Sequence, residues 1–128
     1  MAGKITISTL NNDTGVLATQ NGMTGIAKAW VNFNGTGTVA IRDSFNVSSI
    51  TDNGTGDYTI NFTTAMPNAN YAAMGCFQWD QTSTTTQAAI WLQLARFAQT
   101  ASAVRVATGI WNGTAYDGTT VTVAVFSS

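Results

Sequence analysis

The sequence predicts an all-β chain folded as an antiparallel β-sandwich of jelly-roll-like type, and three observations carry that expectation. Apolar and polar residues alternate with a period of two, clearest in "DYTINFT", where Tyr58, Ile60 and Phe62 share one face and Thr59, Asn61 and Thr63 the other. Asn-Gly occurs four times, at Asn21-Gly22, Asn34-Gly35, Asn53-Gly54 and Asn112-Gly113, and both positions of this dipeptide tolerate the positive φ of hairpin turns. Short apolar runs recur at the spacing of sandwiches and barrels, not at that of alternating strands and helices. At 128 residues the chain fits one domain, 1–128.

In chain order, "KITISTL" reads as a first strand, and "NNDTGVLATQNGMTG" as an irregular connection within an N-terminal arm over residues 1–25. "IAKAWVNF" sets Ala27, Ala29, Val31 and Phe33 against Lys28, Trp30 and Asn32. "GTVAIR", "SFNVSSI", "DYTINFT", "NYAAMGCFQW" and "SAVRVATGIW" follow as strands. "TVTVAVF" sets Val121, Val123 and Val125 against Thr120, Thr122 and Ala124. "TTTQAAIWLQLARFAQ" fits two readings: Ala88, Trp91, Leu92 and Ala95 recur at helical spacing, while Ile90, Leu92 and Leu94 alternate as in a strand. The flanking threonines favour the strand, for about nine strands in all.

Composition narrows the function. Charged residues make up 9% of the chain, against about 25% in ordinary globular domains, and Thr, Asn, Ser, Gln and Gly take their place. A net charge of −1, with Lys4, Lys28, Arg42, Arg96 and Arg105 scattered, gives no footprint for nucleic acid. No apolar run is long enough to insert in a membrane as a helix, and "MAGKITISTL" lacks the apolar region of a signal peptide, so the expectation is synthesis in the cytoplasm without secretion.

Catalytic vocabulary is sparse. Histidine and glutamate are absent, and the acids are Asp13, Asp43, Asp52, Asp57, Asp80 and Asp117. No nucleophile has a histidine base, and nothing pairs two aspartates across a cleft, so no catalytic residue, cofactor or metal is assigned and the chain is read as a non-enzyme. Cys76, the single cysteine, allows no intrachain disulfide and reads as a small buried hydrophobe within "NYAAMGCFQW". "TDNGTGDY" offers oxygens from Asp52, Asn53 and Asp57 to a calcium ion, but its spacing is not that of an EF-hand and a solvated hairpin accounts for it. Six N-x-S/T triplets read as turn and strand polarity.

Two groups of residues stand out. Trp111, Asn112, Tyr116 and Asp117 in "WNGTAYDG" combine aromatic faces with hydrogen-bonding groups, a composition suited to a sugar or a partner surface. Trp30, with the adjacent charges Arg42 and Asp43, is expected at structural or interface positions. Strand neighbours point to opposite faces, so Arg42 and Asp43 should each find another partner unless a bulge intervenes.

The string "AKAWVNFNGTGTVAIRDSFNVSSITDNGTGDYTINFTTAMPNANYA", residues 27 to 72, resembles a segment of structural proteins of tailed bacteriophages, namely tail-fibre tips and knob-like virion proteins. The likeness rests on Trp30-Val31-Asn32-Phe33, Arg42-Asp43, Gly56-Asp57-Tyr58 and the run from Pro67 to Tyr71. It implies a compact β-sandwich assembled as a homotrimer on the particle surface, contacting other virion proteins of capsid or tail and, in the attachment case, a host surface glycan. Heptads and shaft-like repeats are absent, which brings a capsid knob or decoration protein close to a fibre tip if these residues are the whole protein, and favours the tip if they are a fragment. A free-standing carbohydrate-binding module built on the loop from Trp111 to Asp117 is the alternative.

Overall fold

The computed structural model describes residues 3, 6, 25–78, 99–110 and 113–128 in full, and 9–12, 15–18 and 91–94 as backbone. The elements are β1 (Thr9–Asn12), β2 (Gly15–Ala18), β3 (Ala29–Asn34), β4 (Ala40–Phe45), β5 (Val47–Gly54), β6 (Asp57–Phe62), β7 (Ala72–Gln78), β8 (Trp91–Leu94), β9 (Ala103–Gly109) and β10 (Thr120–Phe126). The fold is all-β and antiparallel. β1 and β2 form a two-stranded hairpin in the register Leu10↔Leu17. The expected irregular connection after residue 10 is therefore partly strand, since residues 11–12 and 15–18 are extended and paired. The four central residues of the ambiguous segment, 91–94, are strand, and the remainder of it lies outside the described residues apart from Gln99.

Two four-stranded sheets make up the body, in the orders β4-β3-β10-β7 and β5-β6-β9-β8. A nested jelly roll pairs its first strand with its last and wraps the others between. Here β3 and β10 pair in that way, but β3–β4, β5–β6 and β8–β9 are sequential neighbours. Jelly-roll order is thus corrected to three sequential pairings joined by the β3–β10, β7–β10 and β6–β9 pairings. Five residues between β3 and β4 and two between β5 and β6 suit hairpins, while the single residue Asn46 carries the chain from β4 in one sheet to β5 in the other.

Alternation decides which side of each strand is buried. Ala29, Val31 and Phe33 of β3, Val121, Val123 and Val125 of β10, and Phe77 of β7 meet Tyr58, Ile60 and Phe62 of β6 and Val104 and Val106 of β9 in one cluster. The Phe33 and Tyr58 rings touch edge to face across the two sheets, centroids 5.1 Å apart, and Phe62 and Tyr71 repeat the contact at 5.8 Å. Such pairs add about 0.5–1.5 kcal/mol beyond their area burial. Every buried side-chain nitrogen or oxygen among the described residues has a hydrogen-bond partner.

Candidate functional site

The segment after β9 returns to the fold through Asp117. Its Oδ1 accepts the Gly56 amide at 2.7 Å and the Tyr58 hydroxyl at 2.7 Å, and the same hydroxyl lies 3.1 Å from the Gly35 carbonyl oxygen. Gly56 has φ +64°, and a Cβ there would strike the Thr108 carbonyl oxygen, so only glycine fits this turn. Thr108 completes the latch: its hydroxyl donates to the Tyr116 carbonyl at 2.6 Å and its own carbonyl accepts the Tyr116 amide at 3.1 Å. Burial, and then the Asp117 carboxylate, push the Tyr58 phenol far above its ordinary pKa.

Two of the four residues singled out in the sequence-derived recognition loop are described. Asp117 ties β6 to the segment before β10, and Tyr116 is half-buried with both backbone polar groups engaged on Thr108. Trp111 and Asn112 lie outside the described residues. Asp117 was readable as a surface ligand because its partners stand 61 and 59 positions away in the chain, a separation that no local pattern encodes.

The "TDNGTGDY" loop closes on itself. Asp52 Oδ1 accepts the Gly54 amide at 2.9 Å, and Asp57 is held by Arg105, whose Nε and Nη2 donate to Oδ1 and Oδ2 at 2.8 and 2.6 Å. Hydrogen bonding from Arg105 keeps the Asp57 carboxyl below its usual pKa. Among the described residues no three His, Cys, Asp or Glu side chains gather at one point.

A second region emerges from the strand register. Residues paired across strands share a face. Phe45 pairs with Trp30, Trp30 with Ala124, and Ala124 with Met74. These four side chains form one row across the whole outer face of the first sheet, and Phe45, Trp30 and Met74 are 54%, 37% and 58% exposed. The next row in register is Asp43, Asn32, Thr122 and Cys76. On the other flank lie Lys28, Phe126 and Ala72, Lys28 donating its amide to the Val125 carbonyl at 2.7 Å. An open groove of about 530 Å³ runs over β10, lined by Trp30, Asn32, Met74, Cys76, Thr122 and Ala124.

Arg42 and Asp43 both belong to this face, for a reason visible only in the register. Asn32 pairs with Asp43 and Phe33 with Ile41, so Arg42 is the extra residue of a β-bulge. From there its guanidinium reaches over β3, donating to Asn32 Oδ1 at 3.3 Å, Thr120 Oγ1 at 3.4 Å and the Thr119 carbonyl at 2.5 Å. Asp43 accepts the Ser44 amide at 2.9 Å. Cys76, expected in the core, is exposed, with its sulfur 3.2 Å from Thr122 Oγ1. It follows the outward phase of Met74, and the apolar run around it concealed that phase because Ala72, Ala73 and Gly75 mark neither face.

Sequence reasoning singled out Trp30 but missed Phe45, Met74 and Ala124 as its neighbours. The alternation in "AKAWVNF" placed Trp30 on the wetter face; only the pairing of β3 with β4 and β10 joins it to the others. Comparison with protein families, curated proteins and solved structures finds no match to this chain.

Proposed function

We propose that the chain is a non-enzymatic structural subunit on the surface of a tailed-phage particle, a β-sandwich that assembles as a homotrimer. The observation that carries the self-assembly is the row of Phe45, Trp30, Ala124 and Met74. Soluble monomers rarely leave contiguous apolar surface of this kind open to water, and aromatic residues and methionine are enriched where proteins meet. The virion setting and threefold closure rest on the resemblance of residues 27 to 72 to fibre-tip and knob proteins. In that setting the partners are other capsid or tail proteins and a host surface glycan.

A neutral, polar exterior suits this role. With few charges to desolvate, a sheet face can be buried against protein at small electrostatic cost. Light scattering on the purified chain at micromolar concentration tests the reading: a mass of three chains, or a multiple of three, is expected. A monomer at that concentration sinks it.

A further inference from the structure

We infer that the outer face of sheet β4-β3-β10-β7 is covered by the same face of a second copy, related by a two-fold axis running parallel to the strands between β3 and β10. This rests on the reading of the chain as a self-assembling subunit and specifies what covers its apolar row.

The order of side chains along the row is the main argument. Read across the sheet it is Phe45, Trp30, Ala124, Met74. Reversing it about its midpoint, as that two-fold axis does, lays Trp30 over the partner's Ala124 and Phe45 over the partner's Met74. Large meets small, and an aromatic ring meets a thioether, a favourable contact. The groove over β10, flanked by Trp30 and Met74 and floored by Ala124 and Thr122, is the recess into which the partner's Trp30 descends. The polar row obeys the same operation, bringing Asn32 over the partner's Thr122 and Asp43 over the partner's Cys76.

The charges agree. Lys28, Arg42 and Asp43 occupy the rims of the face, and the axis superposes no two like charges; Lys28 comes to lie over the partner's Phe126, a cation above an aromatic ring. Four strands about 4.8 Å apart and seven residues long give a footprint of roughly 450 Å² per copy. Two copies together bury about 900 Å², the size of a weak, concentration-dependent contact. A contact of identical patches closes at two subunits, so threefold assembly must use other surfaces, and both together make six chains.

Cross-linking through the native thiol tests the geometry. Cys76 sits on β7 at one edge of the sheet and Asp43 on β4 at the other, three strand spacings away or about 14 Å within one chain. In the pair, Asp43 faces the partner's Cys76. Asp43→Cys treated with a short bis-maleimide should therefore give covalently doubled chains, roughly tenfold more than Ser49→Cys, whose new thiol lies on the opposite sheet. Wild type, with Cys76 alone, should stay single because the two native thiols lie at opposite edges. Adding Trp30→Lys to Asp43→Cys should abolish the doubling. The inference is overturned if Asp43→Cys couples no better than Ser49→Cys, or if wild type couples as readily. A light-scattering mass of three chains without coupling removes the pairing and leaves the trimer; a mass of two with coupling removes the trimer and leaves the pairing.

Discussion

The outer face of sheet β5-β6-β9-β8 and the outer face of sheet β4-β3-β10-β7 arise from the same alternation, yet they satisfy themselves differently. On the former, side chains bond to one another. Asn61 Nδ2 donates to Ser49 Oγ at 3.1 Å and Thr51 Oγ1 at 3.0 Å, Asn53 Nδ2 donates to Thr59 Oγ1 at 2.9 Å, and Arg105 clamps Asp57. On the latter, a polar fringe anchored by Arg42 borders a row whose Phe45, Trp30 and Met74 are exposed. A face whose polar groups are already paired offers little to a partner, whereas an apolar row gains by being covered. Exposure alone does not distinguish the two; saturation does.

The largest effect expected from this contrast is on assembly. Trp30→Lys should weaken self-association by about 2 kcal/mol or more, roughly thirtyfold, as loss of a central aromatic contact does, while the melting temperature of the single chain stays nearly unchanged. Thr59→Lys, the corresponding change on the polar face, should leave the mass in light scattering as it was. An equal response to both would abolish the distinction between the faces.

Next in size is the saturated face itself. Asn61→Ala removes bonds to two strand partners and should lower stability by about 1–2 kcal/mol in urea titration without altering assembly. Arg42→Ala should cost about 1 kcal/mol, since the Thr119 carbonyl and Asn32 lose an exposed partner that water replaces; a shift in assembly as well would mark Arg42 as part of the contact.

The smallest effect concerns acid. Asp57 has its pKa depressed in the fold by Arg105, so its contribution is complete above the ordinary carboxylate pKa and disappears as pH falls through its folded value. Melting curves from about pH 5 down to about pH 2 should show wild type losing stability more steeply than Asp57→Asn. Parallel curves would remove Asp57 from the acid response.

Much of the body was legible in the residues. β6 and β10 follow their period-two patterns almost to the residue, because valines and aromatics alternate there with Thr and Asn. β5 was harder: "VSSITDNG" carries two register shifts, between Val47 and Ser49 and between Asp52 and Gly54, and each breaks the period that reveals a strand. Positive φ at Gly113 follows from the Asn-Gly signal, whereas in the β5–β6 hairpin the turn falls on Thr55-Gly56 and leaves Asn53-Gly54 at the bulged end of a strand. The roles of Asp117 and of the Phe45 to Met74 row were hidden for one reason. Each depends on which distant strands become neighbours, and that is settled by closure of the core, not by any window of sequence.

The bulges have a consequence for growth. Strands β4 and β5 form neighbouring edges of the two sheets, and both are interrupted, at Arg42 in one and at two points in the other. An interrupted edge presents its free amides and carbonyls out of step with an incoming straight strand. Along that side copies cannot be added edge to edge to extend a sheet without end. Association on that side has to cover a surface, since it cannot lengthen a ribbon.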